Sequence, residues 1–152
     1  MTRCLALKNP CAIRLGSAWK GSVKSHDKEF CEFSDVVYGI RAFFVLMRTY
    51  HYKYKLSRLT SVMLRYAPLN ENNTYGYVSF ILKYFNKYIG KSGISDIDSL
   101  LDSHVNSDMF VNTWINSKTP SYWLRLLCKA IARMESDYVV SDKEIDEAIK
   151  LL

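Results

Sequence analysis

Apolar residues recur at helical spacing most cleanly between Pro120 and Tyr138, where Trp123, Leu126, Leu127, Ala130, Ile131 and Met134 share one side and Arg125, Lys129 and Arg133 the other. The pattern predicts an amphipathic helix with Pro120 in its first turn. At about 100° per residue, Glu135 falls on the edge of the apolar stripe, between Ile131, Leu124 and Cys128. Ala132 and Ile131 precede it by three and four residues, and Tyr138 and Val139 follow it at the same spacing, so no local partner favours its charged form. Desolvation without a partner raises a carboxyl pKa. A general acid needs such a carboxyl; the structural alternative is a helix-end carboxylate that reaches solvent.

The rest of the pattern is mostly helical. Asn9-Pro10 predicts a turn after a short helical or extended lead. Ala18–Val23 and Glu29–Phe33 predict a small β-hairpin with Ser25, His26 and Asp27 in its loop. Strand content is expected to end there. Ser34 or Asp35 can cap a helix to about Tyr54 that is apolar nearly all round and interrupted by Arg41. Ser57 to Tyr66 predicts a short helix stopped by Pro68, and Asn70 to Thr74 a capping loop. Tyr77 to Tyr88 predicts a further helix, with shorter ones over Ser95–Asp102 and Ser107–Asn116. Ser141 with Glu144 makes a capping box for a last helix. The expected fold is mostly α (α+β), one helical domain over residues 1–152 with one small N-terminal hairpin.

Composition narrows the partners. With 152 residues and 49% apolar content the chain can bury one good core and is short for two. Its net charge of +6 is uneven: Met1–Tyr66 holds 12 Lys/Arg against 4 Asp/Glu, and the remainder 9 against 11. The basic half suits a polyanion, whether nucleic acid, anionic membrane or bacterial wall. Tyr50, Tyr52, Tyr54, Lys53 and Lys55 interleave aromatics and bases as a stacking surface does, but a solvated helix end has the same pattern and is the preferred reading. Four cysteines without C-x-x-C spacing point to buried free thiols and a reducing site of synthesis. No signal-peptide-like stretch and no run of about 18 apolar residues is present. Synthesis in the cytoplasm is expected, with packaging in a particle or delivery to the wall by another system.

The three histidines are scattered and show no H-E-x-x-H arrangement, and there is no G-x-S-x-G elbow or glycine-rich phosphate loop. No metal or cofactor is therefore expected. A carboxyl on an apolar helix end plus a hairpin carrying Glu29 and Glu32 matches the inventory of glycoside hydrolysis.

The segments KNPCAIRLGSAWKGS, FCEFSDVVYGIRAFFVLMRTY and YAPLNENNTYGYVSFI, together spanning about Lys8 to Phe80, resemble a family of small phage-type proteins described as virion structural proteins. Their pattern is N-N-P-x-N-I-R, W-x-G, F-x-x-F, Y-G-x-R-A and A-P-x-x-E-N-x-T-x-x-Y. The opening also resembles lysozyme-like and glucosaminidase wall hydrolases, in which the catalytic Glu precedes this loop on a helix ending E-S-G or E-T-G. Here AIARMES follows it, which implies a circularly permuted lysozyme-like fold. The resemblance implies Glu135 as acid with Glu32 as second carboxylate, and a glycan groove lined by Asn9, Arg14, Trp19, Tyr38, Glu71, Asn72 and Tyr77. Lys8, Cys11, Ala12 and Asp137 depart from the pattern. If the replaced groups hold sugar or water, the chain binds glycan without cutting it. Asn9-Pro10 also reads as a plain turn, and Glu71, Asn72 and Thr74 as helix caps.

Two readings follow: a peptidoglycan glycosidase of muramidase or glucosaminidase type, and a non-catalytic virion or glycan-binding component partnered by other virion proteins. Nucleic-acid binding is a weaker third. In the first reading, Glu135 should lie within about 5 to 10 Å of Glu32 or Glu29.

Overall fold

The computed structural model describes residues 1–88 and 105–152. The fold is mostly α with a little β. Six helices occur among the described residues: α1 (Arg3–Ala6), α2 (Val36–Tyr52), α3 (Leu59–Tyr66), α4 (Thr74–Tyr88), α5 (Tyr122–Ser136) and α6 (Asp142–Lys150). Two antiparallel two-stranded hairpins accompany them, β1 (Ser22–Val23) with β2 (Glu32–Phe33) and β3 (Trp114–Asn116) with β4 (Thr119–Pro120).

Helix α2 is the central element, as its all-round apolar sequence requires. Ile40, Ala42, Phe43, Phe44 and Met47 are wholly buried. The Asp35 carboxylate caps it by accepting from the Val37 amide at 2.8 Å. Arg41, its polar interruption, donates to the Leu151 carbonyl at 3.0 Å, so α2 packs along α6 without leaving a buried donor unmatched. Gly39 lets the N-terminal loop cross at backbone contact: a Cβ there would lie 2.6 Å from the Lys8 carbonyl oxygen. One apolar core runs from Cys11 through α2, α3, α4 and α5 to Ala148.

The first hairpin is shorter than its alternation suggests. Only Ser22 with Phe33 and Val23 with Glu32 pair within it. Residues 29–31 instead pair with 13–15: Arg14 bridges Phe30, the Leu15 amide donates to the Glu29 carbonyl, and the Cys31 amide donates to the Ile13 carbonyl, both at 2.9 Å. The N-terminal loop is thereby fastened to the hairpin.

Three expectations fail after residue 104, the third being Pro120 in the first turn of α5. The helix expected over Ser107–Asn116 is absent and a second hairpin stands at its end, so strand content does not stop at Phe33. Met109 and Val111 are buried while Phe110 is 52% exposed, which is an alternating pattern. The Leu59 amide donates to the Met109 carbonyl, and the Val111 and Asn112 amides to the Ser57 carbonyl, so the backbone of this stretch pairs with residues 57–59 and not with itself. Asn112, wholly buried, donates to the carbonyls of Met47 (2.8 Å) and Leu56 (2.9 Å). Pro120 belongs to β4, and Ser121 caps α5 by accepting from the Leu124 amide. The helix expected over Ser95–Asp102 falls outside the described residues.

Candidate functional site

Glu135 occupies the last turn of α5, whose apolar face buries Leu124, Cys128 and Ile131 completely. That helix end is tied to the start of the chain. Ser136 Oγ donates to the Pro10 carbonyl at 2.8 Å, and Thr2 Oγ1 donates to the Ser136 carbonyl at 3.1 Å. The Asn9–Arg14 loop therefore lies against the carboxyl-terminal end of α5.

The side chains whose ionisation responds to Glu135 are Cys4 of α1, Cys11 of the loop, Tyr66 of α3 and Tyr77 of α4. Residues from four parts of the chain thus lie within electrostatic range of one carboxyl. Burial pushes the Glu135 pKa up, and the Arg14 guanidinium pulls it part of the way back. Among the described residues Glu135 has neither a hydrogen-bond nor an ion-pair partner. Burial, reinforced by Glu135, raises Cys4 to about 11 and also lifts Tyr77. Tyr66, fixed by donating its hydroxyl to the Cys11 carbonyl, is pushed well above the usual tyrosine range by burial, with Cys11 and then Glu135 adding to the shift. At neutral pH these groups are uncharged, which leaves Arg14 as the cation that acts on Glu135.

Arg14 links three carboxylates. Its guanidinium lies 3.7 Å from Glu29 and 3.6 Å from Glu71, both about half exposed, and it is the charge felt by Glu135. Arg14 and Arg3 both stack on the Phe30 ring, 5.4 Å and 4.8 Å from its centroid. The arrangement brings Arg14, Glu71 and Tyr77 into association with Glu135. Glu32 has other partners: its Oε1 accepts from the His26 amide at 3.0 Å and sits 2.7 Å from the His26 imidazole, contacts that hold its pKa below the ordinary value. The carboxylates that Arg14 connects to Glu135 are Glu29 and Glu71.

The remaining groove candidates divide by location. Asn9 is wholly buried; its amide donates to the Ile13 and Cys31 carbonyls, both at 2.9 Å, and accepts from the Ile13 amide at 2.8 Å. Its side chain closes the loop. Asn72 donates to the Pro68 carbonyl at 3.3 Å, and the cap of α4 is Asn73, which accepts from the Gly76 amide. Trp19 and Tyr38 gather at the hairpin, where Gly21, at φ 77°, presses on the Tyr38 ring so closely that a Cβ would overlap it. Trp19 is half buried, and among the described residues its indole Nε1 has no partner. No hydrogen bond or ion pair among the described residues joins this pair to Glu135.

The departures from the phage-type pattern acquire a backbone explanation. Lys8 and Ala12 both have φ 56°, and Asp137 ends α5 at φ 52°. These are the positions where the pattern has Asn, Asn and Gly, the residues that enter the left-handed region most readily. At these three of the four departures the backbone path alone accounts for the pattern's residue; Cys11 has no such explanation.

No family model matches the chain. Over 84 residues it is 38% identical to Protein P5 of Pseudoalteromonas phage PM2. The match covers 52% of this chain and 52% of that protein, so the chain spans about half the length of this relative. The chain is thus similar to a phage protein. Among the described residues no helix is long and apolar enough to cross a membrane, and no three His, Cys, Asp or Glu side chains gather as a metal site.

Proposed function

We propose that the chain is a peptidoglycan-directed glycosidase of phage type, with Glu135 as general acid. The observation that supports this reading is the Glu135 carboxyl itself, largely buried and without a hydrogen-bond or ion-pair partner among the described residues, at a helix end where Arg14 acts on it electrostatically. A carboxyl held neutral by desolvation can protonate the leaving glycosidic oxygen, and the resulting carboxylate is then stabilised by Arg14. Arg14 and Tyr77 supply donors for sugar hydroxyls. In this reading the water-holding carboxylate is sought in Glu29 or Glu71, which share Arg14, and not in Glu32, which pairs with His26. Asn9 acts indirectly by fixing the loop that presents Arg14, while Trp19 and Tyr38 extend the glycan surface along the hairpin. Association with a virion fits the similarity to a phage protein and gives an enzyme of this kind a route to the wall.

The test is Glu135→Gln, which keeps the shape and removes the proton. Release of reducing sugar or muropeptides from purified wall should fall by at least the 10²-fold typical of a general acid, with the circular dichroism spectrum retained. Full activity in the variant removes Glu135 from the mechanism. A second reading, a glycan-binding virion component without catalysis, draws on the engagement of Glu29 and Glu32 in ion pairs with Arg3, Arg14 and His26. It predicts wall co-sedimentation with silence in zymograms on walls from several bacteria.

A further inference from the structure

Cys11 and Cys128 stand 117 positions apart in sequence, yet their sulfur atoms are 4.0 Å from each other and both residues are wholly buried. A disulfide has its sulfurs about 2.05 Å apart, so the remaining gap is about 2 Å, within reach of side-chain rotation and a small backbone adjustment. The backbone at Cys11 is held between α5 and α3. The preceding carbonyl, of Pro10, accepts from Ser136 Oγ, and the Cys11 carbonyl itself accepts from the Tyr66 hydroxyl. The other two cysteines are differently engaged: Cys31 donates its thiol to the Arg14 carbonyl at 3.3 Å, and Cys4 lies in α1.

We infer that Cys11 and Cys128 are a disulfide-forming pair whose bond joins the loop carrying Arg14 to the helix carrying Glu135. Cys128 precedes Glu135 by two helical turns on the same face, and Cys11 precedes Arg14 by three residues, so the cross-link would lie beneath the Glu135 cluster and fix its two walls to one another. Burial raises the Cys11 thiol well above its ordinary range, and a thiol without its thiolate is a poor nucleophile. The bond is therefore expected to form during folding and not on the finished protein. With a small-molecule disulfide such as oxidised glutathione, one cysteine thiolate attacks a reagent sulfur and expels a glutathione thiolate. The second cysteine then attacks the protein sulfur of the mixed disulfide and expels the other glutathione. Two protein thiols are oxidised, one reagent disulfide is reduced to two thiols, and the two protein protons pass to the released thiolates.

The pairing does not depend on the role of Glu135. The full chain is unfolded in denaturant, refolded with oxidised and reduced glutathione, and then alkylated. The expected product is lighter than the reduced protein by two hydrogens before alkylation, yields one linked peptide pair containing Cys11 and Cys128 on digestion without reductant, and carries alkyl groups only on Cys4 and Cys31. Its thermal midpoint should exceed that of the reduced form, and Cys128→Ala should abolish the difference. Four alkylated cysteines, or linkage between any other pair, would overturn the inference whether or not the variant folds, since the peptide map uses the unaltered chain.

Discussion

A single carboxyl shows how far residue-level reasoning reaches. The sequence places Glu135 at an apolar edge without a partner at helical spacing, and the structure surrounds it with Cys4, Cys11, Tyr66 and Tyr77 from distant positions. Its folded pKa is raised, so the native state keeps this proton at pH values where the unfolded chain, near 4.3, has released it. The stabilising contribution of the neutral carboxyl is thus fully present below about pH 4.3 and is lost as pH rises through the folded value. Wild type should therefore lose stability relative to Glu135→Gln as pH climbs from 4 to 8 in paired thermal melts. The rate on wall substrate should fall over the same interval, because the general acid is losing its proton. A stability difference that stays flat with pH would mean that Glu135 titrates as it does in the unfolded chain. The edge position of Glu135 was legible from periodicity, which left open whether the carboxyl is desolvated or reaches solvent. The influence of Arg14 on Glu135 was not legible, because they are 121 positions apart in the chain and nothing local couples them.

Elements were most legible where a cap and a period agree. Asp35 and Ser141 each accept from a backbone amide at the start of a helix that the apolar spacing also predicts, whereas the start of α5 was placed too early, at Pro120, and its cap is Ser121. The second hairpin was not legible, because Phe110, Val111, Trp114 and Ile115 have helical spacing while Ile115 is 77% exposed and the backbone of residues 109–112 pairs with 57–59. Pairing between distant segments overrode local pattern. The ends of elements carry a further expectation. Ala12 and Asp137 hold left-handed backbone at the loop turn and the end of α5, a conformation that costs a side-chain-bearing residue about 1–2 kcal/mol. Ala12→Gly and Asp137→Gly should each stabilise the fold by roughly 0.5–1 kcal/mol after the extra entropy of glycine in the unfolded chain is counted. Loss of the exposed Arg133–Asp137 pair offsets little of this. Thermal melts should register midpoints higher by a few degrees. A lowered midpoint for Ala12→Gly would show that its methyl group contributes packing beyond the path of the chain.

At the scale of the whole molecule the two chain ends close the structure. Thr2 and Pro10 bond to Ser136, Arg41 of α2 reaches the Leu151 carbonyl, and α6 packs along α2. Among the described residues one apolar core is continuous from Cys11 to Ala148, and we propose that the chain unfolds as one domain. We therefore expect one cooperative transition, with far-ultraviolet and near-ultraviolet circular dichroism, reporting helix and aromatic packing, coincident in denaturant. Ending the chain after Asp137 removes Ile145 and Ala148 from the core and deprives Arg41 of its acceptor. The shortened protein should retain helical signal but lose the sharp near-ultraviolet transition and bind a hydrophobic dye, the behaviour of a compact state without fixed packing. The Glu135 cluster should fail with it although every member of that cluster is still present, because Arg14 and the helix end are held in place through the same core. Persistence of a sharp, coincident transition in the truncated chain would show instead that α6 is an appendage, and that residues 1–137 specify the site by themselves.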